Sequence, residues 1–183
     1  MCKELETRVI DIDVDDIRNK LKNLGAKLVK SEDQINDLYD FSDMRLRKVK
    51  GYARIRTVFD KLNNKEVIYL TTKKMLSQGT FKEMEEYETI ALDKAMAEGI
   101  YKSLGLNLTE SIKKYRESYR LNHSLIEIDI NDKAFCPFPY IEIETSSVEN
   151  LEETLKLLGY TLKDTTSKTI YELIAQYKEN NNK

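Results

Sequence analysis

Polar and apolar residues alternate with a period of two along much of this chain, and the alternation is broken by stretches of helical spacing. Between Lys3 and Asp13, Glu4, Glu6 and Arg8 fall on one side and Leu5, Thr7 and Val9 on the other, as in a strand. In VDDIRNKLKNLGA, Val14, Ile17, Leu21 and Leu24 sit at helical spacing, with Asp15 and Asp16 suiting the helix start and Gly25 its end. Strands are expected from Lys27 to Phe41, bent near Ser31, then in YARIRTVFD and NNKEVIYLTTKK, joined by a turn from Lys61 to Asn64. After a turn from Ser77 to Gly79, the strand KEMEEYETIAL leads into the helix DKAMAEGIYKSLG. The strands SIKKYRESYRL, SLIEIDIND and PYIEIETSS follow, the first two linked tightly at Asn122-His123. VENLEETLKLLGY reads as a helix capped by Ser146 or Ser147, a last helix spans about Ser167 to Tyr177, and KENNNK reads as a frayed tail. A weak internal echo, strands followed by a helix ending in Leu104-Gly105 and again in Leu158-Gly159, suggests two related halves of one sheet.

The charges recur on one face of these strands. Glu4 with Glu6, Arg54 with Arg56, Glu86 with Glu88, Lys114 with Arg116, Glu127 with Asp129, and Glu142 with Glu144 are each spaced by two, with apolar or aromatic residues between most of them. One such strand is well explained by a sheet with one wet face. Six of them fit better a closed barrel, with helices packed on the apolar outside and the charges lining the lumen. Isolated charges in a lumen are costly, and become tolerable when both signs mix with water, metal and ligand. Arginine and lysine bind phosphate, and carboxylates hold Mg²⁺ or Mn²⁺ through oxygen, so a lumen with both suits a polyphosphate–metal complex.

Composition narrows the reading. The 183 residues fit one domain, and 34% are charged, against about 25% in an ordinary globular domain. The net charge of −2 offers no long-range attraction to nucleic acid or to an anionic membrane, so affinity for phosphate has to be local. Cys2 and Cys136 have no metal or redox spacing, the start MCKELETRV has no signal-peptide core, and no apolar run nears a membrane span. A reducing, cytoplasmic location is expected. His123 reads as a turn residue, Cys136 as a loop thiol, the tyrosines as barrel packing, Glu127 as structural or rim-exposed, and RLRKVK at Arg45 to Lys50 as a solvated loop.

At these residues the chain resembles the CYTH family, the triphosphate tunnel metalloenzymes, which include class IV adenylate cyclases, thiamine triphosphatases and inorganic triphosphatases. Glu4-Leu5-Glu6-Thr7-Arg8 corresponds to the family's Glu-x-Glu-x-Lys, with Arg8 in place of lysine. QINDLY (Gln34 to Tyr39) is similar to a run in cyclase-like members, ARIR supplies Arg54 and Arg56, LTTK supplies Lys73, and EEYE supplies Glu86 and Glu88. KYRESY supplies Lys114 and Arg116, Asp129 matches the next acid, YIEIE supplies Glu142 and Glu144, and KTIYELI loosely matches the terminal motif, bringing in Lys168.

The resemblance implies an α+β domain over residues 1–183, a closed eight-stranded antiparallel barrel with helices outside. Arg8, Arg54, Arg56, Lys73, Lys114, Arg116 and Lys168 would bind substrate. Glu4, Glu6, Glu86, Glu88, Asp129, Glu142 and Glu144 form the metal set for Mg²⁺ or Mn²⁺, with Glu4, Glu6 and Glu144 foremost, and Glu4, Glu6 and Arg8 act in catalysis. The substrate would be ATP, inorganic triphosphate or thiamine triphosphate. Cyclisation of ATP to cyclic AMP and pyrophosphate and hydrolysis of a triphosphate both fit one such site, and QINDLY leans toward the cyclase-like branch. A non-catalytic nucleotide or polyphosphate sensor is the alternative, and an open-sheet module binding a protein is a third reading. A homodimer is compatible with the sequence but not implied by it.

Overall fold

The computed structural model of the chain describes residues 5–78 and 82–181. The alternating segments form eight strands: β1 (Leu5–Ile10), β2 (Lys27–Asp40), β3 (Tyr52–Asp60), β4 (Lys65–Gln78), β5 (Lys82–Ala91), β6 (Asn107–Leu121), β7 (Ser124–Asn131) and β8 (Tyr140–Thr145). Around them lie α1 (Val14–Asn23), α2 (Arg45–Lys48), α3 (Lys94–Ser103), α4 (Val148–Leu158) and α5 (Ile170–Asn181). All strand pairs are antiparallel, in the order β5-β4-β3-β2-β6-β7-β8-β1. The class is α+β, and the sheet curls into a half-barrel.

The expected complete closure is not seen as a continuous ladder. The two ends of the sheet meet at one residue pair among the described residues, Glu6 opposite Lys82. The cause lies in β1's outer edge. The Arg8 N–H donates to the Thr166 carbonyl (3.1 Å), and the Thr166 N–H donates back to the Arg8 carbonyl (2.9 Å). Backbone groups that could have paired with β5 are therefore taken by the segment leading into α5.

Short polar side chains set the helix starts. The Asp13 carboxylate accepts from the N–H groups of Asp15 and Asp16, and the Ser147 hydroxyl accepts from that of Asn150, resolving the Ser146-or-Ser147 choice. Helix α5 starts later than expected because the Thr169 and Glu172 side chains and N–H groups bond reciprocally across its first turn, and it runs on to Asn181, into the tail expected to fray. Gly159 ends α4 in the left-handed region at φ 86°, which glycine adopts without penalty.

Two expected loops and turns are ordered instead. RLRK forms one turn of helix, α2, because the Asp40 carboxylate accepts from the Leu46 and Arg47 N–H groups (3.0 and 2.9 Å). Ser77 continues β4 after an irregularity near Met75, while the rest of the expected turn, at Gly79, lies outside the described residues.

The apolar face of the sheet points outward. Val9, Ile126, Ile128, Ile141 and Ile143 pack beneath Ile17 and Leu21 of α1 and Leu151, Leu155 and Leu158 of α4. A second core joins Tyr39, Ala53 and Ile55 to Ala97 and Tyr101 of α3. Cys136 is the loop thiol expected, and it is buried with Phe138, Leu173 and Ile174, since the loop before β8 tucks beneath α5. Among the described residues no helix is long and apolar enough to cross a membrane.

This arrangement makes α4 the clamp on one half of the sheet. Leu155→Ala is expected to destabilise the protein by about 2–5 kcal/mol in chemical denaturation. Leu157→Ala, at a position 38% exposed, should cost no more than about 0.5 kcal/mol. Equal effects of the two substitutions would contradict this packing.

Candidate functional site

With the aliphatic residues outside, the opposite positions of each strand face inward and line a cavity of about 830 Å³. Register brings the charged pairs together. Arg8 lies opposite Glu142, Glu6 opposite Glu144, Glu142 opposite Glu127, Asp129 opposite Arg116, and Lys73 opposite Glu86. Glu6, Arg8, Arg54, Arg56, Lys73, Glu86, Glu88, Lys114, Arg116, Glu142 and Glu144 all line the cavity. Glu4 lies outside the described residues.

Arg116 is the hub. Its Nε donates to Asp129 Oδ1 (2.6 Å) and its Nη2 to Asp129 Oδ2 (2.5 Å) and Glu142 Oε2 (2.8 Å), while Nη1 donates to Glu127. Burial works against its charge, but Asp129 and Glu127 outweigh that and hold the guanidinium firmly protonated. Asp129 has no exposed surface and also takes the Lys114 ammonium at 2.8 Å. Burial would raise its pKa, and Arg116 with Lys114 instead holds it below the usual range. Lys114 is lowered by burial and by Arg116, since its carboxylate partner is already shared.

A second group of ion pairs leads from Arg8 across the gap to β3. Arg8 bonds Glu142 and, at 2.7 Å, Glu6. Lys73 reaches Glu86 at 3.0 Å and Glu6 at 3.9 Å. Arg56 pairs with Glu88 at 3.0 Å, and Arg54 lies 3.5 Å from the same carboxylate, which also accepts from the Thr71 hydroxyl. Arg56 is nevertheless lowered, by burial first and then by Arg54. Among the described residues, the buried Nε–H groups of Arg8, Arg54 and Arg56 have no hydrogen-bond partner.

Glu144 differs from the other acids. Burial, then Glu127, Glu142 and Glu6, pushes its carboxyl up to about 8. Its directly opposed neighbour across the β1–β8 ladder is Glu6, and like charges in that relation repel. Two opposed carboxylates of this kind, offering hard oxygen donors, fit a divalent cation. Among the described residues no three acidic, histidine or cysteine side chains are grouped to hold a metal ion.

Two sequence candidates depart from their expected places. The Lys168 ammonium bonds Gln176 at 2.9 Å and does not line the cavity; its carbonyl accepts from Arg8 instead. The bond to Gln176 carries the side chain forward along α5. Asp129 is enclosed by Arg116 and Lys114 and is also absent from the cavity wall. Conversely, Glu127 is not at a rim: it is 2% exposed and bonded to Arg116 and Ser118. Its alternation with Ile126 and Ile128 was the available signal. In QINDLY, Asp37 faces outward, bound to Lys94 of α3 at 2.8 Å, while Tyr39 packs on Tyr101 and also borders the cavity beside Asn36 and Leu38. At the mouth, Arg47 of α2 lies over the Tyr171 ring at 4.6 Å, a contact that the sequence offered no periodicity to reveal.

Comparison with known proteins places this geometry. No curated protein matches the chain. The PH1012 protein from Pyrococcus horikoshii is 25% identical, covering 93% of this chain and 99% of its own, at a TM-score of 0.74. A Vibrio parahaemolyticus protein provisionally named an adenylate cyclase has 13% identity, coverages of 94% and 98%, and a TM-score of 0.75. HpAC1 from Hippeastrum, described as having a dominant triphosphatase activity, has 18% identity, coverages of 96% and 96%, and a TM-score of 0.65. These last two likenesses speak to fold alone. The CYTH domain model matches residues 3–170, and with that span and this charged, curled sheet the chain belongs to the CYTH domain family.

Proposed function

We propose that the chain is an enzyme acting on a phosphoanhydride bond, binding a triphosphate-bearing small molecule with Mg²⁺ or Mn²⁺ inside the curled sheet, which forms the wall of a tunnel. The observation that carries this reading is the convergence of Arg8, Arg54, Arg56, Lys73, Lys114 and Arg116 on one cavity that also holds Glu6 and Glu144. The unpartnered Nε–H groups of Arg8, Arg54 and Arg56 are suited to phosphate oxygens. Arg56, lowered by burial and by Arg54, is stabilised in its charged form by an anion beside it.

In this reading Arg54, Arg56, Lys73 and Lys114 hold the phosphate chain, and Arg8 and Arg116 complete the basic wall. Asp129, Glu127 and Glu142 position Arg116 and Arg8, while Glu86 and Glu88 position Lys73, Arg54 and Arg56. Glu6 and Glu144, with Glu4 beyond the described residues, would hold the cation. A bound divalent cation supplies Lewis-acid neutralisation of phosphate charge. The basic side chains keep the reacting phosphorus in line with its nucleophile and stabilise charge on the departing oxygens. Attack by water gives hydrolysis, and attack by a ribose 3′-hydroxyl on the α-phosphorus gives a cyclic nucleotide and pyrophosphate. The Asp37 of QINDLY does not separate the two, since it is turned away to Lys94.

Purified protein given ATP, inorganic triphosphate and thiamine triphosphate with Mg²⁺ or Mn²⁺ is expected to release orthophosphate, or cyclic AMP with pyrophosphate. Arg56→Ala should lower kcat/KM by about 10²–10³-fold while the fold survives. A wild-type protein that binds triphosphate without turning it over would be a sensor instead.

Glu144 gives a prediction in pH. A carboxyl raised from 4.5 to about 8 on folding contributes stability below its unfolded value that is lost as pH rises through its folded one. Metal-free wild-type protein should therefore lose more melting temperature between pH 5 and pH 9 than Glu144→Gln does. Mg²⁺ should restore more of it at pH 9 in wild type than in the variant. Parallel pH curves for the two metal-free proteins would refute this role for Glu144.

A further inference from the structure

Helix α3 breaks the pattern of the other helices that cover the sheet. On α1 and α4 the exposed positions include Asp15, Asp16 and Lys22, and Glu149, Glu152, Glu153 and Lys156. On α3 they include Met96 (66% exposed), Ile100 (51%) and Leu104 (63%), with Leu92 (100%) just ahead of the helix. A different face holds α3 to the sheet, through Ala97 and Tyr101. Large apolar side chains left in water forgo the gain of burial. In a chain that is 34% charged, a ridge of them at i, i+4 spacing is not explained by composition.

Beside that ridge runs a groove. Ala95, Gly99 and Ser103, all exposed, form the adjacent i, i+4 row. A Cβ at Gly99 would meet no described atom within 4 Å. Packing within the chain therefore does not require glycine there, although glycine weakens a helix interior relative to alanine. The Ser103 hydroxyl donates to the Ile100 carbonyl at 2.8 Å, so it stays satisfied when covered. Ridges of such rows seat in the grooves of a facing helix, at a crossing near −50°. One α3 carries both a ridge and a groove. That is the self-complementarity of an isologous contact, in which a twofold axis seats each ridge in the other copy's groove. The charged residues of α3 point away from the ridge and are paired within the chain, Lys94 with Asp37 at 2.8 Å and Lys102 with Glu98 at 3.8 Å. Two ridges thus meet without opposed charges. A helix lying on an anionic membrane carries Lys and Arg along its polar face, whereas here Glu98 stands between the two lysines and the net charge is −2.

We infer that α3 is the contact face of a homodimer, crossed by α3 of a second copy about a twofold axis between Met96 and Ile100. This goes beyond the triphosphate reading and does not rest on it. From Leu92 to Leu104 the ridge is about 18 Å long and about 10 Å wide. That is less than the roughly 800 Å² per partner of a standard interface, so the dimer is a weak one that forms and dissociates with concentration.

The test is sedimentation velocity of the full chain across roughly 1–500 μM. Wild type should pass from one-chain to two-chain mass with a dissociation constant of about 1–100 μM. Ile100→Glu puts a charge in the ridge and should raise that constant at least about thirtyfold. Gly99→Leu fills the groove and should raise it at least about tenfold. Its melting temperature at the lowest concentration should be no lower than that of wild type, because leucine is the better helix former. Leu157→Lys, at an exposed position of α4, should leave the constant within about threefold. A wild type that stays a single chain throughout would overturn the inference. If that single chain binds phosphatidylserine vesicles and Ile100→Glu does not, the ridge belongs to lipid instead. A dimer that Ile100→Glu and Gly99→Leu both leave within about threefold of wild type would place the contact elsewhere and overturn the inference too. Hydrogen exchange needs no variant: amides of residues 92–104 in wild type should exchange more slowly at the high end of the concentration range, and unchanged exchange there would refute the contact.

Discussion

The structure depends on neutralising charge inside a curled sheet. Arg116 joins strands β6, β7 and β8 by bonding Asp129, Glu127 and Glu142. Removing charged groups from water costs several kcal/mol per ion, and a buried pair recovers that only with good geometry and full hydrogen bonding. The network therefore need not add net stability. Its consequence is that basic side chains stay charged and fixed in a place where solvent is scarce.

Stability comes chiefly from the other face. The outward aliphatic residues of β1, β7 and β8 meet α1 and α4, while those of β2 and β3 meet α3. Because strand side chains alternate, each residue that anchors a helix sets its neighbours inward. The outer cores thus aim the inner charges, and Glu142 cannot turn from the cavity without exposing Ile141 and Ile143. The same coupling explains how a chain of net charge −2 concentrates cations on one wall. Acids placed behind or beside them, such as Asp129 and Glu88, balance the charge locally.

What could be read in advance followed from local period. The strands, the amphipathic helices α1, α3 and α4, and the inward pairs around Tyr87, Tyr115 and Ile143 all repeat over enough residues to be recognised. Helix α2 has four residues and no period; it exists because the Asp40 carboxylate, at the end of β2, accepts from its Leu46 and Arg47 N–H groups. Lys168 points off the cavity, as its bond to Gln176 shows, because a motif match says nothing of side-chain direction. Asp129 shares the face of Glu127, yet only the pairing of β6 with β7 encloses it between two cations.

By itself, the sequence determined which residues share a strand face and that one face carries ionisable groups of both signs, because alternation is a property of neighbouring backbone units. The tertiary structure alone decided which acid meets which base, which donors and acceptors are left unpartnered, and where β1 yields its edge to Thr166. Those outcomes depend on register and curl across strands far apart in the chain, and local spacing carries no information about either.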